Sequence, residues 1–74
     1  MDKYTKVVSS NLQAVKYDAK EETLFVVFTN GGHYAYSNVP QEVYDGLLEA
    51  DSAGKFFHAS VRSTYPVRKV EEEE

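Results

Sequence analysis

Two tyrosines and five basic side chains are the residues of this chain whose types and spacing could do chemistry. Tyr34 and Tyr36 stand two apart, a spacing that on a β-strand turns both rings to one face. Such a pair can act as a platform for unpaired bases, each stack being worth about 1–3 kcal/mol. The same rings can instead fill the core, where each buries about 150–250 Å². Lys55, His58 and Arg62 follow at intervals of three and four residues, which on a helix gathers them within about 60° of one another. Arg68 and Lys69 extend the series, and no acid interrupts the stretch from Ser52 to Val70. An edge of this kind can follow a phosphate backbone. Equally, it can be a solvated helix face whose positive charge near the C-terminus is favourable with the helix dipole.

Nothing comparable supports catalysis. Nucleophilic catalysis needs an activated Ser, Thr, Cys or Lys beside a base, and the chain has two histidines, His33 and His58, and no Cys. It contains no Gly-x-Ser-x-Gly, no phosphate-cradling loop and no dinucleotide fingerprint. Gly31-Gly32 reads as a turn, because no helix begins there. Glu21-Glu22 fall in a predicted turn, open to water. His33, His58 and an Asp have no recognised metal-ligand spacing. Ser9 and Ser10 read as backbone hydrogen-bonding groups at a turn or strand start. The expectation is a protein that is not an enzyme, with no cofactor and no metal.

The elements that must position these residues can be read from pattern. Leu12 to Tyr17 is a short strand ending at the turn-prone Asp18–Glu22. Thr23 to Thr29 is β-branched or aromatic throughout except Leu24, the clearest strand signal in the chain. Asn30-Gly31-Gly32 predicts a hairpin turn, with His33–Ser37 returning. The length of that loop sets which residues share a face with the tyrosines. A two-residue loop groups them with Phe25 and Val27; a three-residue loop groups them with Leu24, Val26 and Phe28.

Pro40 suits the first position of a helix, whose apolar side holds Val43, Tyr44, Leu47, Leu48 and Ala50 opposite Glu42, Asp45 and Glu49. Asp51-Ser52 can cap a second helix with Ala53, Phe56, Phe57 and Val61 inward and Lys55, His58 and Arg62 outward. Gly54 near its start implies close packing against another element, since glycine weakens a helix. Tyr65-Pro66 ends it, and a short strand can run through 67–70. The fold class is α+β: a small antiparallel sheet (hairpin 23–29/33–37 plus a strand near 12–17, with 67–70 a further candidate) and two short helices at about 40–50 and 52–62. The expected core is Leu24, Val26, Phe28, Val43, Leu47, Phe57 and Val61.

A chain of 74 residues fits one domain, and at this size a self-sufficient core is marginal. The expected organisation is a flexible 1–6, a single domain over 7–70 and an acidic disordered tail at 71–74. Formal charge is −4, all of it from Glu71–Glu74, because the eight basic side chains are balanced by eight acids before the tail. The first ten residues have no apolar run, so no signal peptide or membrane span is expected and the location expected is cytoplasmic.

An ordered set of short elements carries a resemblance. It comprises Ser9-Ser10, Tyr17-Asp18, Thr23-Leu24-x-Val26-x-Phe28, the glycine turn and Tyr34-x-Tyr36. Val39-Pro40, Val43-Tyr44, Ser52-x-Gly54-x-Phe56-Phe57 and Val61-Arg62 complete it. Together these resemble the KTSC domain, which is found at the C-terminus of some lysyl-tRNA synthetases and as a free-standing small protein of bacteria and phages. The resemblance spans about residues 7–70. It implies one small domain with no synthetase catalytic region, and its company implies RNA as a ligand.

The functional expectation is a non-catalytic binding module for RNA or another nucleic acid, working through Tyr34, Tyr36, Lys55, His58, Arg62, Arg68 and Lys69. For that, the cations must form one exposed surface with a reachable ring. Two alternatives stand beside it: a protein-interaction or self-associating module built on the two-sided apolar strand, and a binder of a small anionic ligand such as a nucleotide. The expected assembly is a monomer or a weak homodimer.

Overall fold

Apolar side chains along 12–17 and 24–28 build the central strands of an antiparallel meander. The computed structural model describes residues 4–7 and 9–70. Five strands run β1 (Thr5–Lys6), β2 (Leu12–Asp18), β3 (Thr23–Phe28), β4 (His33–Tyr36) and β5 (Val67–Lys69), side by side in chain order. Helices α1 (Gln41–Glu49) and α2 (Ala53–Ser60) lie between β4 and β5 in sequence and cover one face of the sheet. The chain is α+β, as its pattern predicts.

The hairpin loop resolves the register. Gly31 N–H donates to Phe28 O at 2.8 Å, Phe28 N–H donates to Gly32 O at 2.9 Å, and Gly31 has φ +95°. This is a three-residue loop whose last member occupies the left-handed region that glycine tolerates. Tyr36 therefore lies opposite Leu24 and Tyr34 opposite Val26, so both rings point toward the helices. A bulge at Gln13 shifts the β2–β3 register between Leu12 and Ala14. The extra residue lets both Leu12 and Val15 face the core.

Tight local chemistry fixes the helices. Pro40 is the N-cap of α1 with an extended ψ of 153°, one position earlier than its expected place inside the helix. Ser52, rather than Asp51, caps α2: its Oγ accepts from Lys55 N–H at 3.3 Å. Gly54 is buried, and a Cβ there would lie 2.6 Å from Ser9 Oγ, which explains the glycine by close approach. Ser9 Oγ itself accepts from Asn11 N–H (3.1 Å) and Leu12 N–H (3.3 Å), opening β2.

The core holds Leu24, Val26, Leu47, Phe57 and Val61 as expected, together with Leu12, Val15, Tyr36, Val39 and Ala53. Phe28 and Val43 are half-buried at its margin rather than inside it. Phe28 lines a groove beside α2, and Val43 lies at the start of α1. One organisational expectation changes. Thr5–Lys6, placed with a flexible N-terminus, form β1 against Val15 and Ala14. The expected tail at 71–74 lies outside the described residues. Among the described residues, no helix is long and apolar enough to cross a membrane.

Candidate functional site

Four aromatic rings in edge-to-face contact make the floor of the groove between α2 and the β3–β5 side of the sheet. Phe57 meets Phe28 at 5.5 Å and Tyr36 at 5.2 Å between ring centroids, and Phe28 meets Tyr34 at 5.4 Å. The ring quadrupoles favour this herringbone arrangement. Tyr36 is only 4% exposed, so its ring belongs to the core. Burial raises its hydroxyl pKa, with the Arg62 charge pulling the other way and Tyr34 adding to the rise. Tyr34 is half-buried and lines the groove. The two tyrosines, equivalent in sequence, thus differ in burial.

Apart from Val67, the walls are polar. Asn11, Thr29 and Asn30 come from the chain before β2 and from the hairpin loop, His58 and Arg62 from α2 and its end, and Val67 from β5. The space they enclose is about 480 Å³ and opens to solvent as a trough, not a closed cavity. Two backbone bonds hold Arg62 in place: Val61 N–H and Arg62 N–H both donate to Phe57 O at 2.9 Å, ending α2 so that the guanidinium stands beside His58.

His58 links the two walls, with Nε2 3.2 Å from the Asn11 amide and Nδ1 3.5 Å from Arg62 Nη1. The neighbouring atoms, Asn11 Nδ2 and Arg62 Nη1, are both donors, and a neutral imidazole has one acceptor nitrogen, so the two contacts belong to opposite tautomers of the ring. The contact uses one end of the Arg62 fork and leaves its other donors available to an anion.

The sheet register sorts the remaining candidates. Lys69 pairs with Tyr34 and Val67 with Tyr36, so both share the groove face. Lys69 lines a second hollow with His33 and Val70, and that hollow shares Tyr34 and Asn30 with the first. Tyr34 and Asn30 are thus common to the hollow that holds Arg62 and the one that holds Lys69. Lys55 is exposed on α2 and does not line the groove. Arg68 pairs with Ala35 and faces the opposite side of the sheet. The single continuous cationic surface anticipated from sequence is therefore corrected: neighbours on a strand point to opposite faces, so Arg68 and Lys69 are parted.

Sequence reasoning missed Asn11, Thr29 and Asn30. Asn11 contacts His58 across 47 residues, and no local pattern signals so distant a pairing. Among the described residues, no group of three His, Asp or Glu is placed to hold a metal ion.

The family model of the KTSC domain matches residues 8–65, most of the chain. The chain belongs to the KTSC domain family. A protein of Tsukamurella paurometabola is 42% identical over 59 residues, covering 80% of this chain and 88% of its own length. A protein of Stutzerimonas stutzeri is 46% identical over 50 residues, 68% of this chain and 70% of that one. A lysine–tRNA ligase of Nostoc is 32% identical over 60 residues, 81% of this chain but only 11% of the ligase. The crystal structure of a KTSC domain protein from Yersinia pestis superposes with a TM-score of 0.91 at 27% identity, over 96% of this chain and all of that one.

Proposed function

We propose that this KTSC domain is a non-catalytic module that binds single-stranded RNA, with a base against Tyr34 and phosphates at Arg62 and Lys69. The observation that carries the reading is that the half-buried Tyr34 lines both the open groove that holds Arg62 and the neighbouring hollow that holds Lys69. A strand running through such a trough can stack on the ring while its backbone passes charge on either side. His58 and Asn11 add hydrogen-bonding groups at the Arg62 end, and Lys55 supplies charge beyond it. Arg68, on the opposite face, and the enclosed ring of Tyr36 have no part in this contact. The single cationic surface required by the sequence-based reading is therefore given up, and the proposal is confined to Tyr34, Arg62 and Lys69. The likeness to part of a lysine–tRNA ligase favours RNA over other polyanions. An open trough also fits a strand better than a free nucleotide, which a closed pocket would hold.

The test is fluorescence anisotropy of a labelled single-stranded oligoribonucleotide across a salt series. Arg62→Ala should weaken binding and lower the magnitude of the log–log salt slope by about 0.7, one phosphate contact on a single strand. Tyr34→Ala should remove about 1–3 kcal/mol of stacking and leave the slope unchanged. Equal affinity for all three proteins would reject the reading.

One observation favours a second function, protein interaction. Val67 is 49% exposed on the edge strand β5, whose three residues are all open to solvent. An edge of this kind can accept another strand. If nuclease treatment leaves the captured partner in a pulldown undiminished, the protein reading takes precedence.

A further inference from the structure

The face of the sheet turned away from the helices is built from two cross-strand rows. Residues paired across the ladders share a face, so Lys6, Ala14, Val27 and His33 form one row and Lys16, Phe25, Ala35 and Arg68 the other. Each row is apolar in the middle, with Ala14, Val27 and Ala35 buried, and carries a basic side chain at both ends. Asp18 is the one acid that the register places on this face among the described strand residues, and its carboxylate accepts the Lys20 and Glu21 N–H groups of the turn.

Lys16 is held ready on this face. Its Nζ lies 4.9 Å from the centroid of Tyr4 and 4.9 Å from that of Phe25, and Tyr4 also meets His33 edge-on at 6.4 Å. A lysine ordered between two rings gives up less rotamer freedom on meeting an anion than a free one. Three strand spacings separate Lys16 from Arg68, about 14 Å. At the Arg68 end this row stands on β5, whose next residue, Lys69, faces the groove side.

We infer that the open sheet face is a second contact surface for the same single-stranded polynucleotide, which leaves the groove at Lys69, crosses the β5 edge to Arg68 and runs along Phe25 to Lys16. The inference rests on the groove reading for where the strand begins, but its residues lie on the other face, so the two can fail separately. Phe25 offers the strand apolar contact between Lys16 and Arg68. Because Lys16 already occupies ring faces of Tyr4 and Phe25, phosphate pairing carries this part of the contact, whereas stacking belongs to Tyr34.

Oligonucleotide length separates the two surfaces. Four nucleotides are at the low end of site sizes for small single-strand binders, so a labelled tetrauridylate should be held by the groove alone and a dodecauridylate by both surfaces. Lys16→Gln with Arg68→Gln should leave tetramer affinity unchanged. For the dodecamer it should lower the magnitude of the salt slope by about 1.4, two contacts on a single strand, with a matching loss of affinity at low salt. Arg62→Ala should weaken both lengths. Melting curves check that the double variant is folded, and Arg68→Gln alone, whose side chain is exposed, should give half the slope change. A dodecamer indifferent to Lys16 and Arg68 while Arg62 still matters would overturn the inference, leave the groove standing and give the open face to a protein partner. The reverse pattern would overturn the groove and keep the open face.

Discussion

Gly54 and Ser9 fix each other, and through that contact they set where α2 sits over β2. Alanine is ordinarily the better helix residue by about 1 kcal/mol. Here the added methyl would come 2.6 Å from Ser9 Oγ, and that hydroxyl is held by the Asn11 and Leu12 N–H groups. We expect Gly54→Ala to destabilise the domain by about 1–3 kcal/mol, the range of overpacking. In a Ser9→Ala background the same change should become neutral or stabilising. Thermal melts of the four proteins give the coupling, and equal effects in both backgrounds would contradict the contact. The glycine's reason was legible in the sequence as close packing, but its partner was not. Nor could sequence divide Tyr34 from Tyr36. They share a face and a residue type, and only their distance from Phe57 across the sheet makes one core and the other groove.

At the scale of elements, α2 is joined to the sheet through Phe57, which is fully buried and meets Phe28 and Tyr36 edge-on. Phe57→Ala removes the ring at the centre of that herringbone. It should cost about 3–5 kcal/mol, a large part of what a small domain has. Chemical denaturation should show the midpoint collapsing, and a midpoint within error of the wild type would contradict the packing. The groove floor is the same set of rings, so binding should fail along with the fold. The hairpin and both helices were readable because their signals are local: β-branched runs, a glycine turn, a capping serine and an apolar stripe. Strand β1 was not, because Thr5 and Lys6 are polar and gain their conformation only by pairing with Val15 and Ala14. The bulge at Gln13 likewise has no local mark, and without it Leu12 and Val15 could not both face inward. The parting of Arg68 from Lys69 follows from strand periodicity once β5 is fixed, but a strand of three residues leaves too short a pattern to fix it beforehand.

For the molecule as a whole, two tyrosines make the fold sensitive to base. Burial raises Tyr36, and burial with the nearby carboxylates of Glu22, Asp45 and Asp18 raises Tyr17. Tyr17 also donates its hydroxyl to Val39 O and stacks on Tyr44 at 5.1 Å. A raised folded-state value means that the native protein holds its protons more tightly than the unfolded chain. Stability is therefore complete below the ordinary tyrosine value of about 10 and falls as pH rises beyond it. Melting temperatures across the alkaline range should decline from that point, and Tyr17→Phe should flatten part of the decline. A flat profile would contradict the burial of these hydroxyls.

Both helices cover one side of the sheet, so the molecule presents a groove bordered by α2 on one face and a basic, apolar-centred surface on the other. NMR titration of the isotope-labelled protein with an oligouridylate at low salt would show whether the groove around Tyr34 receives single-stranded RNA. The amides of Asn11, Thr29, Asn30, Tyr34 and Arg62 should shift together, and the shifts should shrink as salt is added. Unmoved groove resonances at saturating RNA, or shifts confined to the distant α1, would contradict that binding.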